Sequence, residues 1–272
     1  ISKSDRDKMI SDPVVLNPNP IRRGKTFLYE IVAEQARDLV GEEALSRGGY
    51  TIRTTIDASV QWAAERKMAS QLLQVENQDG YKHPRYSEYK KSDGPPKYLQ
   101  GATLMMDHEN GEVIAHVGGR NFAHSQYDFI ENGSRPLGTA FFPFVYATGF
   151  ERGKHPATML TDEQMDLRKL QVGGLEGVAG EWGMEIANPG YEGKITSRRA
   201  LAMSKIAATV ELGQEIGLSN VHAVSENFGF KLPSEKFLNR MIVGFDNVSM
   251  PEVVSAYSAF PRGGSRITAR HY

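Results

Sequence analysis

Apolar residues recur at helical spacing in several stretches of the chain. Leu28, Ile31, Val32, Ala36 and Leu39 predict a one-sided helix over Thr26 to Leu45. Gly48 and Gly49 break it, and Y-T-I-R-T-T-I alternates with β-branched content, which predicts a strand over Tyr50 to Ile56. Asp57 is placed to cap a following helix whose stripe is Val60, Ala64, Met68 and Leu72. Glu76 to Lys97 is polar with Pro95-Pro96 and predicts a long surface excursion. Ala102 to Asp107 and Glu112 to Val117 flank Asn110-Gly111, a strong hairpin signal.

The second half reads as helices. An apolar run follows Thr139, and Glu151 to Pro156 turns. Leu167 to Pro189 is glycine-rich and irregular around Trp182. Short helices are expected over Arg198 to Met203, then from Ser204 to Ile216 with Gly217 as stop, and over Ser219 to Phe228 with Gly229 as stop. Ser249 and Glu252 have capping-box spacing for a helix that turns Val253, Val254, Tyr257 and Phe260 inward.

Composition adds bounds. With 272 residues, 40% hydrophobic and 24% charged, the chain can build one full core or a core plus an appendage. A formal net charge of −1 gives no reason to expect nucleic acid or an anionic membrane as partner. No apolar run reaches spanning length, and I-S-K-S-D-R-D-K has no signal-peptide core. With no cysteine there is neither a disulfide nor a thiolate metal site. The seven histidines lack a recognised ligand spacing, so no metal and no cofactor is expected. Gly118-Gly119 and Gly173-Gly174 do not fit a phosphate loop and read as turn chemistry.

The candidate chemistry lies in R-P-L-G-T-A-F-F-P-F, Arg135 to Phe144. Thr139 and Phe142 are three apart and share a helix face, with Thr139 at the positive helix start. An acyl-transfer nucleophile there needs an amine at the third position, and Phe142 has none. The simplest role for Thr139 is a helix N-cap.

This segment resembles the S-x-x-K motif of penicillin-binding proteins, the transpeptidases that cross-link peptidoglycan. Ala102 to Arg120 resembles the strand, turn and strand before that motif in the bifunctional class A members. Tyr191 to Leu212, with A-M-S-K-I-A-A, resembles the stretch carrying their second motif, S-x-N. By this resemblance Thr139 and Ser204 stand at catalytic motif positions, while Phe142 and Ile206 replace the family's lysine and asparagine. No K-T-G occurs before Tyr272, so the third motif and the C-terminal strands of the sheet are expected beyond it.

The resemblance implies an α+β fold, helices packed on an antiparallel sheet left with an open edge. It divides the chain into a linker tail over residues 1–20, a linking subdomain over 21–98 and an incomplete transpeptidase-like domain over 99–272. S-R-I-T-A-R-H-Y, Ser265 to Tyr272, resembles the approach to the sheet's third strand. A glycosyltransferase domain is expected N-terminally, and the location expected is the periplasmic face of the inner membrane. The function expected is a transpeptidase-like region degenerate in acylation, a structural or binding module for peptidoglycan stem peptides or cell-wall proteins. Two alternatives stand beside it: an active D,D-transpeptidase acylating through Thr139 with help from Lys205 or residues beyond Tyr272, and a plain adaptor that never touches peptidoglycan.

Overall fold

The computed structural model describes residues 2–4, 25–172, 190–233 and 237–272. Most of the expected linker tail, most of the Trp182 segment and the pair Gly173-Gly174 lie outside the described residues. The architecture is α+β. Among the described residues, strands form three two-stranded antiparallel ladders, with helices packed around them.

Thr26 caps α1, Phe27–Val40, by accepting from the Tyr29 N–H. Gly41, at φ 83°, interrupts the expected single helix before α2, Glu42–Arg47. The stretch from Tyr50 to Ile56 is irregular and not a strand. Only its end meets other backbone: the Thr55 N–H donates to His271 O and the Asp57 N–H to Ile114 O, while Tyr50 and Ile52 are exposed.

Asp57 caps α3, Ala58–Glu76, accepting from the Ser59 and Val60 N–H groups. Its stripe buries Ala64, flanked by Val60 and Met68, against Ala115 and Val117 of the hairpin. That hairpin pairs β1, Thr103–Met106, with β2, Val113–Val117, its register shifting between Met105 and Met106. Gly111 takes φ 80° in the turn, as Asn-Gly predicts. Gly118 and Gly119 have no positive φ. They are required by close approach instead: a Cβ on Gly118 would meet the Asp128 carboxylate at 2.4 Å, and one on Gly119 the Phe27 ring at 2.8 Å.

The polar excursion is anchored at its base. Glu76 is buried and pairs with Arg120, with Nη2 to Oε2 at 2.9 Å. The rings of Tyr86 and Tyr89 then pack on Tyr98 and His124.

The main core surrounds α4, Phe142–Glu151, which buries Phe142, Phe144, Val145, Tyr146, Thr148 and Gly149. A helix apolar on most faces is necessarily interior. Against it pack α6, Ile206–Ile216, and α7, Leu218–Asn227, after the short α5, Ser197–Ala202. β3, Arg135–Pro136, pairs with β6, Asn247–Val248; β4, Met159–Asp162, pairs with β5, Gly193–Thr196. The capping box at Ser249 and Glu252 starts α8, Met250–Tyr257. Val253 and Tyr257 pack on the main core and Val254 on a smaller cluster around Leu104, but Phe260 lies beyond the helix and is 45% exposed.

The terminal residues make an isolated parallel bridge, not a strand, between Arg270 and Glu112 at the start of β2. Beside it, His271 Nε2 lies 3.0 Å from His116 Nδ1, and His116 Nε2 lies 2.8 Å from Asp128 Oδ2.

Burial opposes ionisation of Glu76, but hydrogen bonds from Arg120 and the Tyr86 N–H outweigh it and hold its pKa below the usual value. Its pairing therefore stabilises the fold above the ordinary carboxylate range, and that contribution is lost as pH falls through the depressed folded value. Glu76→Gln, which strands the Arg120 charge, is expected to cost roughly 3–5 kcal/mol near neutral pH. Urea melts across pH check this: the gap between wild type and variant should close in acid.

Candidate functional site

Of the residues expected from sequence, Thr139 and Phe142 lie at the start of α4, and Ser204 and Ile206 at the junction of α5 and α6. A 3-10 turn, Gly138–Phe141, precedes the helix and carries Thr139 half-buried at its surface. Phe142, three positions after Thr139, lies outside that turn and opens α4. Phe142 does not face solvent. It is fully buried in the main core.

Thr139 is not an N-cap. Neither the 3-10 turn, which starts after Leu137, nor α4, which starts after Phe141, is closed by a side-chain hydrogen bond. The turn is held from behind instead. The Gly138 N–H donates to Gly244 O at 2.9 Å, and the Tyr257 hydroxyl donates to Ala140 O.

Ser204 occupies the bend between α5 and α6, at φ 51°, a conformation uncommon outside glycine. It is the turn residue that sequence allowed, and the N-cap is its neighbour Lys205. Ile206 begins α6 and packs partly buried against the same core as Phe142. The two apolar residues thus join one hydrophobic cluster, as their residue types imply.

Lys205 is the candidate substitute amine, and its surroundings are specific. Nζ donates to Gly190 O at 2.7 Å and lies 2.9 Å from Glu192 Oε1 and 3.1 Å from Asp162 Oδ2. Three donors meet three acceptors. Burial disfavours the ammonium, but hydrogen bonds to Glu192 and Asp162 outweigh this and raise its pKa. A protonated amine held in this way is a poor general base.

The two motif stretches are tied together in the interior. The Tyr146 hydroxyl on α4 lies 3.2 Å from Thr209 Oγ1 on α6, and Thr209 Oγ1 donates to Lys205 O at 2.7 Å. Burial pushes the Tyr146 phenol up to about 12, so it is neutral at physiological pH.

No protein-family model matches the chain. Penicillin-binding protein 1A of Neisseria lactamica is 31% identical over 172 residues, 63% of this chain and 21% of that protein. That of Vibrio cholerae is 29% identical over 163 residues, 60% of this chain and 19% of that protein. The chain is a relative of the class A penicillin-binding proteins. The match spans about a fifth of those relatives' length. The crystal structure of penicillin-binding protein 1A from Haemophilus influenzae superposes with a TM-score of 0.74 at 17% identity, covering 100% of this chain and 51% of that one. The penicillin-binding protein PonA1 from Mycobacterium tuberculosis gives 0.65 at 19% identity, covering 90% and 59%. At these identities the superpositions establish the fold: the α+β architecture is that of the penicillin-binding proteins.

One cluster escaped the sequence. His116, Glu131 and His271 each bring a ligand atom within 4.8 Å of the other two. Spacing rules search short windows, whereas His116 and His271 are 155 positions apart. The partners of Lys205 were equally out of reach, since Asp162 arrives on β4 and Glu192 just before β5.

Because Asp162 is almost wholly buried, removing its cation leaves an uncompensated charge. Lys205→Ala is expected to cost roughly 3–5 kcal/mol, read as a lowered urea midpoint. Lys205→Arg should recover part of the loss.

Proposed function

We propose that this chain is the transpeptidase-like part of a class A penicillin-binding protein of peptidoglycan synthesis, degenerate in acylation and working as a structural or binding module. The observation that carries this reading is the burial in the core of Phe142, three positions after Thr139, where by resemblance acyl transfer needs a proton acceptor. Loss of a positioned base alone costs about 10²- to 10⁴-fold in rate. Threonine adds a methyl group that stiffens χ1 and crowds attack. Lys205 offers no replacement, since its nitrogen is committed to Gly190, Glu192 and Asp162.

In this reading residues 21–98 form a linking subdomain and 99–272 the transpeptidase-like domain, with Thr139 and Ser204 as inactive motif positions. The module scaffolds an N-terminal glycosyltransferase domain at the periplasmic face of the inner membrane. Peptidoglycan stem peptides or cell-wall proteins are its ligands. Among structures of similar fold, one from Burkholderia ambifaria is described as a peptidoglycan glycosyltransferase, with a TM-score of 0.53 at 13% identity.

A fluorescent penicillin tests the reading. The purified protein and its Thr139→Ala variant are expected to give equal, background labelling after denaturing electrophoresis. Covalent labelling of the wild type that disappears in the variant would overturn it in favour of a working transpeptidase.

A further inference from the structure

We propose that His116, His271 and Glu131 form a binding site for a divalent transition metal, with zinc as the ion best suited to the donor set. The site is separate from the Thr139 region and rests on different residues. His116 comes from β2, Glu131 from the loop after it, and His271 from the C-terminal segment, so a bound ion would pin three distant stretches to one point.

The donor set is two imidazoles and a carboxylate, the set that holds zinc with a fourth position left for water. The nitrogens are already near the required separation. His116 Nδ1 and His271 Nε2 are 3.0 Å apart. Two nitrogens on one tetrahedral zinc stand about 3.3 Å apart, from Zn–N bonds of about 2.0–2.1 Å. Sharing an ion requires that separation to open by about 0.3 Å and each ring to tilt by about 35° so that both lone pairs converge on it, with the Glu131 oxygen, within 4.8 Å of both nitrogens, swinging in as third ligand.

The surroundings set the tautomers. Asp128 Oδ2 accepts from His116 Nε2 at 2.8 Å, which leaves the Nδ1 lone pair facing His271. Asp128 is fixed in turn by accepting the Ile130 and Glu131 N–H groups. A carboxylate behind a ligating imidazole is the usual support of a zinc-bound histidine. His116 is also held by its backbone, donating N–H to Gln61 Oε1 at 2.7 Å and accepting from Gln61 Nε2 at 2.9 Å.

On the far side of His271, Gln35 Nε2 lies 3.2 Å from Nδ1, while Gln35 Oε1 is buried without a partner. Binding of an ion to Nε2 moves the His271 proton to Nδ1. The Gln35 amide, turned over, then presents its oxygen as acceptor for that proton. Both imidazoles would thus ligate while hydrogen-bonded from behind.

Glu131 and Asp128 line a cleft of about 250 Å³ together with Lys25, Glu30, Glu34, Gln126 and Asn132, while His116 and His271 are buried and do not line it, so an ion would arrive through Glu131. Its carboxylates favour entry of a cation, and Glu131 is the one exposed member of the triad.

The test uses the tag-free 272-residue chain, stripped with a chelator and titrated with zinc ion alone by calorimetry, with thermal melts alongside. Binding of one equivalent and a raised melting temperature are expected. Glu131→Gln should weaken binding at least 10-fold while the metal-free melt and circular dichroism stay as in wild type, because Glu131 is exposed. His271→Gln should also abolish stoichiometric binding, and Asp128→Asn should weaken it about 10- to 100-fold. Cobalt ion in place of zinc should give the visible absorption of a tetrahedral site. Failure of the wild type to bind one equivalent, or binding unchanged in both Glu131→Gln and His271→Gln, would overturn the proposal.

Discussion

The interior position of α4 governs the arrangement of the second half of the molecule. Phe142, Phe144, Val145, Tyr146, Thr148 and Gly149 are all buried, so neighbouring elements must close around the helix. Small residues set how near they come. A Cβ on Gly149 would touch Leu212 at 3.3 Å, and one on Gly213 would reach Ile242 at 2.6 Å. With the helix fixed this way, the 3-10 turn before it is fixed too, and Thr139 sits half-buried just ahead of the fully buried Phe142. An aromatic ring in that position completes the packing of the core. The same ring removes the room and the polarity that a proton-carrying side chain would use.

Polar groups in this fold are used for attachment between segments remote in sequence. Glu76 joins the end of α3 to Arg120, after the hairpin. Lys205 draws together β4 and the residues before β5, and the Asp128–His116–His271 chain ties the C-terminal segment to β2. Each is buried enough for an unpaired partner to be costly. The fold shared with the penicillin-binding proteins is thus held by backbone and packing, with Phe142 and Ile206 both in the hydrophobic core.

Local signals in the sequence were read well where the physics is local. Asp57, Asn110-Gly111, Gly217 and the Ser249–Glu252 box each act within a few residues, and each stands where its pattern placed it. The stretch from Tyr50 to Ile56 failed because alternation and β-branching describe a strand only if another backbone lies alongside, and most of it has none. Thr139 was expected to cap a helix, but the chain enters α4 through a 3-10 turn, which displaces the helix start past it. Gly118 and Gly119 were assigned to turn chemistry. Their true reason, the nearness of Asp128 and Phe27, is a tertiary fact. The commitment of Lys205 to three acceptors was not legible, because Asp162 and Glu192 reach it from segments distant in sequence.

Gly244 has a wider consequence. At φ 65°, with Gly138 O only 2.3 Å from where a Cβ would sit, position 244 admits no residue larger than glycine without dislodging the turn that carries Thr139. The two glycines face each other from segments a hundred positions apart, joined by one backbone hydrogen bond. The 3-10 turn that carries Thr139 is therefore tethered to the segment around Gly244, and any remodelling of one must be accommodated by the other.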